Sequence, residues 1–294
     1  MAEKTMTALH SKTMRLAAPR IRASWIVYAV LIAGCIVTVV PFVYTILASF
    51  KTHAEIIDPH QQSFLPRDFT TENYETIFDD PTLPIERFYL NSILVAVSTV
   101  FTLLFSSALF GFVFAKYQFR YKRVLFGYVL LTMMIPGVLF LIPTYVLMYR
   151  IGWVGHFEAL IVPSIVSVFN IFLIRQFMSG IPDELVEAAR IDGAGEMVIF
   201  TRIILPLARP ALATVAILTF MGSWNDFFGP LLYLNRPEQW TLQLGLLQFR
   251  GTVPGENAQQ IWALTTIITV PIVVVYFFIQ EQFVKAFANV SLSK

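Results

Sequence analysis

Few residues in this chain have the types and spacing that catalysis requires. The four histidines, His10, His53, His60 and His156, stand apart from one another, in no pattern that would hold a metal ion. Cys35 is the sole cysteine and lies inside an apolar run, so neither an intramolecular disulfide nor a thiolate metal site is expected. No G-x-x-x-x-G-K-[ST] loop is present to cradle a nucleoside triphosphate, so the chain is not expected to hydrolyse one by the usual route. The polar chemistry that remains is concentrated in three places. Asn170 stands alone in an apolar segment; Ser223, Trp224, Asn225 and Asp226 follow one another; and a charged stretch runs from Pro182 to Ala194. No constellation of nucleophile, base or metal ligands is formed by them within the apolar segments, so binding, orienting and coupling are the roles expected.

The surroundings of these residues are unusually apolar. Of 294 residues, 56% are hydrophobic and 14% charged, where a soluble domain carries about 25% charged residues. With a mean hydropathy of +0.67, disorder, a coiled coil and an ordinary soluble enzyme are excluded, and a polytopic membrane protein remains. The net charge of +2 is too small to suggest nucleic acid. A crossing helix needs about 20 mostly apolar residues. Stretches meeting or approaching that need are 23–50, 88–115, 124–149, 159–178, 210–235 and 257–280, the fourth extended past Arg175 and the fifth interrupted by Asp226. Six transmembrane helices are therefore predicted.

Lys and Arg are retained on the cytoplasmic side of such proteins. Fifteen of the 21 fall in the N-terminal tail, the connection after the second helix, the connection after the fourth, and the C-terminal tail, against six on the other side. Both termini are predicted to be cytoplasmic, with tails at 1–24 and 284–294 around a membrane domain at 25–283. The sequence Leu31-Ile32-Ala33-Gly34-Cys35 resembles a lipoprotein cleavage site, but Ile36 to Val40 continue the apolar run, so the first helix is expected to stay in the membrane. On the outer side, residues 51–87 and 235–256 carry Pro59, Pro66, Pro81, Pro84, Pro237 and Pro254 and form irregular loops, read either as docking surfaces or as solvated connectors.

The fourth connection, residues 181–206, is far longer than a turn requires. Pro182 suits the first position of a helix, and Asp183 and Glu184 complement its positive end. Glu187 and Arg190 are spaced to pair at i,i+3, and Gly193 suits a left-handed helix stop. A second helical stretch is predicted over about 196–204, stopped by Leu205-Pro206. Ala188 and Ala189 leave room for another backbone to approach, so the elbow is read as a knob for a partner's groove. The other reading is an amphipathic helix resting on lipid head groups, although its acidic, Ala-rich face suits that poorly.

Glu187-Ala188-Ala189-Arg190-Ile191-Asp192-Gly193-Ala194, followed by Phe200, Leu205-Pro206 and Pro210, resembles the EAA signature of membrane subunits of binding-protein-dependent ABC importers. Further segments resemble the carbohydrate branch, and within it the second permease of maltose-type importers: Met134-Ile135-Pro136, Ile142-Pro143-Thr144-Tyr145, 172–177, Ser223-Trp224-Asn225-Asp226-Phe227 and 241–246. The C-terminal sequence 284–290 departs from the Gly-rich ending common there. The resemblance implies an all-α membrane protein, a type I ABC importer permease with six transmembrane helices and a cytoplasmic coupling helix between helices 4 and 5. Glu187, Ala188, Ala189, Asp192, Gly193 and Ala194 would then be the coupling residues. It also implies two copies of a cytoplasmic ABC ATPase that bind ATP and Mg, a second permease subunit in a heterodimer, an extracytoplasmic solute-binding protein, and a bacterial or archaeal plasma membrane. No cofactor of its own and no enzymatic activity are implied.

Within that frame Asn170, Ser223, Trp224, Asn225 and Asp226 are expected to line or gate a translocation path, because polar groups in a span face the bundle or a water-filled path. Trp224 either stacks on a sugar ring or anchors a helix at the membrane interface. Pro136, Pro143, Pro163 and Pro271 are expected to kink their spans, with Pro136 and Pro143 as candidate hinges or, alternatively, as static packing. The low charge of the spans fits a neutral or weakly charged solute. An ion-coupled secondary transporter, the competing reading, predicts several buried carboxylates, whereas Asp226 is the sole acid within the predicted spans.

Overall fold

The computed structural model describes residues 20–80, 84–250 and 255–292. Among them every regular element is helical and there is no strand. In chain order the α-helices are α1 Arg20–Ala48, α2 His53–Ile57, α3 Glu72–Asp79, α4 Ile85–Lys116, α5 Lys122–Met133, α6 Leu141–Arg150, α7 Glu158–Ile161, α8 Val168–Ser179, α9 Asp183–Ile191, α10 Glu196–Val198, α11 Leu205–Leu207, α12 Arg209–Trp224, α13 Phe228–Tyr233, α14 Leu242–Gly245 and α15 Ala258–Leu292.

The centre is α4, whose 32 residues extend about 48 Å at 1.5 Å per residue. Its buried stripe is rich in small residues: Ser92, Ala96, Thr99, Ser106, Ser107, Ala108 and Gly111. Small residues let helix backbones approach closely where apolar contact alone gives no driving force. Around this stripe pack α8 and α12, and α12 packs in turn on α15. The α4–α8 crossing is tightest at Gly111, where a Cβ would lie 2.7 Å from Ile174 Cγ2. By contrast, α1 stands off the bundle, its apolar residues exposed along most of its length, and touches α15.

The six predicted spans are not six unbroken helices. Among the described residues three helices, α1, α4 and α15, are long and apolar enough to cross a membrane alone, and up to five crossings result if each of two bent pairs counts as one. The predicted span 124–149 breaks at Met134–Pro136, where α5 meets the 3-10 turn Gly137–Phe140 and α6 at 91°. Pro136 is extended (φ −57°, ψ 127°), and a proline also pushes its predecessor out of helical conformation. Pro143 does not kink a helix: it falls in the first turn of α6, where a missing N–H breaks no intrahelical bond. The predicted span 159–178 is divided around Pro163 into α7 and α8, and the 12 residues of α8 reach only about 18 Å. The predicted span 210–235 stops at Trp224 and resumes as α13. Pro271 is accommodated inside α15, which continues to Leu292 through most of the predicted C-terminal tail. Residues 1–19 of the predicted N-terminal tail lie outside the described residues, and the last five residues assigned to that tail, from Arg20, already belong to α1.

Candidate coupling loop and translocation cavity

The elbow at residues 181–206 is rooted in the core, and its edge is left outside. In α9, Val186 and Ala189 turn inward, while Glu187, Ala188, Ile191 and Asp192 are exposed. Ala189, expected beside Ala188 on the coupling face, is buried within the chain, where it packs with Val186, Ile199, Phe200, Ile204 and Ala208 against Phe112, Ile174 and Met178. Pro182 is the N-cap residue rather than the first helical one, and Asp183 and Glu184 occupy the first turn.

The helix ends at a Schellman turn. Gly193 has φ +81°, its N–H donates to Arg190 O (3.0 Å), and the Ala194 N–H reaches Ala189 O (2.9 Å). Beyond it, Arg190 pairs with Glu196 (2.8 Å) instead of Glu187, because the turn brings the second arm back beside the first. The same carboxylate accepts from Tyr117 Oη, and the Arg190 guanidinium lies 5.7 Å from the Tyr117 ring centre. The Arg190 bonds, then the Tyr117 bond, hold the Glu196 carboxyl below its ordinary pKa. At the root, Lys116 Nζ donates to Asp183 Oδ1 (2.6 Å) and to Ile181 O.

The second arm is not stopped by Leu205-Pro206. It runs from Glu196 to Leu207 through a π-helical stretch, Ile199–Ile204, and then turns 77° into α12. Pro206 lacks the N–H that an α-helical ladder would use, and the widened turn lies immediately before it. Ile199, Phe200 and Ile204 face inward from this stretch. Burying side chains of this size contributes about 1.5–3 kcal/mol each, against about 0–1 kcal/mol for a half-exposed pair such as Arg190–Glu196. Packing, not the ion pair, holds the elbow. Ile191 and Met197, 86% and 65% exposed, were not singled out from the sequence. The signal was available, since Ile191 lies four residues after Glu187 and so shares its outward face.

A cavity of about 340 Å³ opens among α4, α7, α8, α12 and α13. Three of the five candidate path residues, Asn170, Ser223 and Asp226, line it together with Thr99, Ser164 and Thr219. Asp226 is the one ionisable group among them; its Oδ1 accepts the Gly229 N–H (3.0 Å). The Thr219 hydroxyl is buried without a hydrogen-bond partner. Thr214, on the same helix, instead bonds the carbonyl four residues back (2.9 Å).

The other two candidates are elsewhere. Trp224 is 2% exposed, donates through Nε1 to Ile268 O (3.0 Å), and packs against Phe220 and Tyr89. Held in this seam between α12 and α15, its ring is presented neither to a solute nor to a membrane interface. Asn225 caps α12 from the exposed side, donating to Met221 O (2.9 Å) and accepting from Gln243 (3.3 Å). Sequence could place polar residues on helices but could not say which way each helix was turned.

The loops expected on the outer side are tethered. Asn91 donates to Glu238 O and Trp240 O (both 3.0 Å), Ser92 Oγ accepts the Leu242 N–H (2.8 Å), and Gly245 abuts the Phe88 ring. Leu242 and Leu244 are thus part of the core rather than projecting from it. In the 51–87 segment Lys51 and Glu55 are buried, with Lys51 Nζ donating to Ser63 O. Burial acts to raise the Glu55 pKa, but bonds from the Arg67 N–H (2.8 Å) and Ser63 hydroxyl (2.9 Å) prevail and hold it below its ordinary value.

With this geometry in place, the comparisons with known proteins are consistent with one another. Residues 107–289 match the family model described as binding-protein-dependent transport system inner membrane component. The protein LplC of Bacillus subtilis (strain 168) is 34% identical over 85% of this chain and 87% of its own length. The arabinooligosaccharides transport system permease protein AraQ of Halalkalibacterium halodurans is 35% identical over 84% and 88%. A solved structure of a bacterial ABC transporter involved in the import of the acidic polysaccharide alginate contains a chain that superposes with a TM-score of 0.79 at 26% identity, covering 92% of this chain and all of that one. The chain belongs to the family of inner membrane components of binding-protein-dependent transport systems. It is a multi-pass membrane permease of an ABC importer, and the ion-coupled alternative is set aside.

Proposed function

We propose that this chain is the permease subunit of an importer for a carbohydrate, received from an extracytoplasmic binding protein and moved by alternating access. A separate ATPase, present in two copies and supplying ATP and Mg chemistry, seats on the elbow at 181–206; a second, different permease completes the path. Both termini and the elbow lie on the cytoplasmic side. The observation that carries this reading is the division of the elbow. A buried face formed by Val186, Ala189, Ile199 and Phe200 fixes it to α4 and α8, while Glu187, Ala188, Ile191 and Asp192 are left outward for a partner. A displacement imposed on the outer edge would pass through that packed root to the bundle.

The sugar reading rests on the AraQ and alginate-importer likenesses and on a cavity lined by hydroxyl, amide and one carboxylate group. Asn170, Ser223 and Asp226, joined by Thr219, are its path residues, and a lining with one carboxylate and no cation favours a neutral solute over an acidic one. Pro136, at the 91° break, is the hinge; Pro143 is not. The test is purification with the ATPase encoded beside this subunit, followed by transport in proteoliposomes. Glu187→Lys is expected to lose ATPase co-isolation and transport together, and full retention of both would refute the coupling assignment. Calorimetry on the accompanying binding protein identifies the sugar.

A further inference from the structure

The end of the bundle that carries the elbow has a second recess, between the start of α5 and α8. Its volume is about 660 Å³, and Arg120, Lys122, Arg123 and Arg175 line it with Phe126 and Leu130 and with no carboxylate. Cations nearby have partners: Lys116 bonds Asp183, and Arg190 bonds Glu196. Lys122 donates to the Tyr117 carbonyl (2.7 Å). Arg175 differs. Among the described residues its guanidinium makes no hydrogen bond or ion pair; it lies 4.5 Å from the Phe126 ring centre, and its Nε is buried and unpartnered. A buried donor of this kind normally has an acceptor, and four cations whose nearby acid, Asp183, is already bonded to Lys116 call for an anion.

The recess continues into an apolar groove of about 480 Å³ along α5, formed by Gly127, Tyr128, Leu130, Leu131 and Met134. Arg123, Gly127 and Leu130 line both. A cationic pocket at the end of a crossing helix, joined to an oily channel along it, is complementary to a molecule with an anionic head and a hydrocarbon tail.

We propose that this recess binds the phosphodiester headgroup of an anionic phospholipid, with one acyl chain along the α5 groove. A free phosphate would leave the groove unused, and a neutral headgroup would bring its own cation against four others. The bound lipid bridges α8, packed on α4, to α5, the half-span before the 91° break, and so restrains it.

The test is native mass spectrometry of the delipidated complete importer with phosphatidylglycerol, phosphatidylcholine of the same chains, or inorganic phosphate added. Phosphatidylglycerol is expected to be retained over phosphatidylcholine, and Arg175→Gln or the exposed Arg123→Gln to lower that retention about fivefold each, as expected for a cation near an anionic headgroup. Equal retention of the two lipids, no change in either variant, or displacement of phosphatidylglycerol by inorganic phosphate would overturn the proposal. So would a cross-link from Tyr128→Cys to another protein chain in place of lipid.

Discussion

The two bent helix pairs make an informative comparison. Each turns sharply, 91° between α5 and the Gly137–Arg150 segment and 77° between the Glu196–Leu207 segment and α12, and each contains a proline near the turn. Their surroundings are opposite. Among residues 122–147 none is buried, and Met134 beside the first break is 78% exposed. The second turn is enclosed: Ile204 and Ala208 flanking it are fully buried, and Ile199 and Phe200 pack on Phe112 and its neighbours. A bend surrounded by packed side chains transmits a push as a rigid corner, because cores resist continuous deformation. At the first bend the residues from Leu131 to Phe140 are all exposed, and α5 is held to α8 only farther back, through Phe126, so a change of angle there disturbs fewer contacts. The same covalent device, a proline in an apolar segment, thus sits at an enclosed corner in one place and at an exposed bend in the other, and the proposed hinge belongs to the exposed one.

The largest effect is expected where the enclosed corner is hollowed. Ile204→Ala should destabilise the permease by about 2–5 kcal/mol, seen as an earlier thermal unfolding transition in detergent, while Met134→Ala at the open bend should stay within about 0.5 kcal/mol. If the two variants unfolded alike, the contrast between the bends would be lost. Next in size is Gly111→Val at the α4–α8 crossing. The added carbons meet Ile174 and should cost about 1–3 kcal/mol through overpacking, with Ile174→Ala in the same chain recovering part of the loss.

Gly193→Ala meets no neighbouring atom, so its whole cost is the left-handed backbone, about 1–2 kcal/mol; ATPase co-isolation should weaken more than stability does. Pro136→Ala should leave thermal stability unchanged yet slow transport in proteoliposomes, since restoring an N–H favours a straighter span. Unaltered transport would make the open bend static packing.

The smallest effect concerns the Arg190–Glu196 pair. The Glu196 carboxyl is held below its ordinary pKa, so its contribution is fully present above the unfolded-state value and is lost as pH falls through the lower folded-state value. With both side chains nearly half exposed, Arg190→Gln should cost under about 1 kcal/mol at neutral pH. It should also flatten the acid limb of a stability profile; an acid limb identical to that of the unaltered chain would show that the pair contributes nothing.

Much of the elbow was legible from residue order, because its rules are local. Pro182, the acidic first turn and Gly193 mark the limits of α9 through capping and backbone sterics, which depend on a few neighbours in sequence. The apolar runs likewise announced a membrane protein, since solvation by a bilayer depends on composition. The number of unbroken helices was less legible: charge-free stretches do not reveal where Pro136, Pro163 or the Asn225–Asp226 pair divides them.

What tertiary structure alone decided is orientation. It turned Ala189 inward and Ala188 outward, placed Trp224 in the α12–α15 seam while Asp226 two residues later lines the cavity, and gave Arg190 to Glu196 in place of Glu187. In spans that are apolar all round, periodicity does not distinguish the face meeting protein from the face meeting lipid. That choice was made by close approach at small residues such as Gly111, and by the return of one arm of the elbow beside the other, both of which join positions distant in the chain.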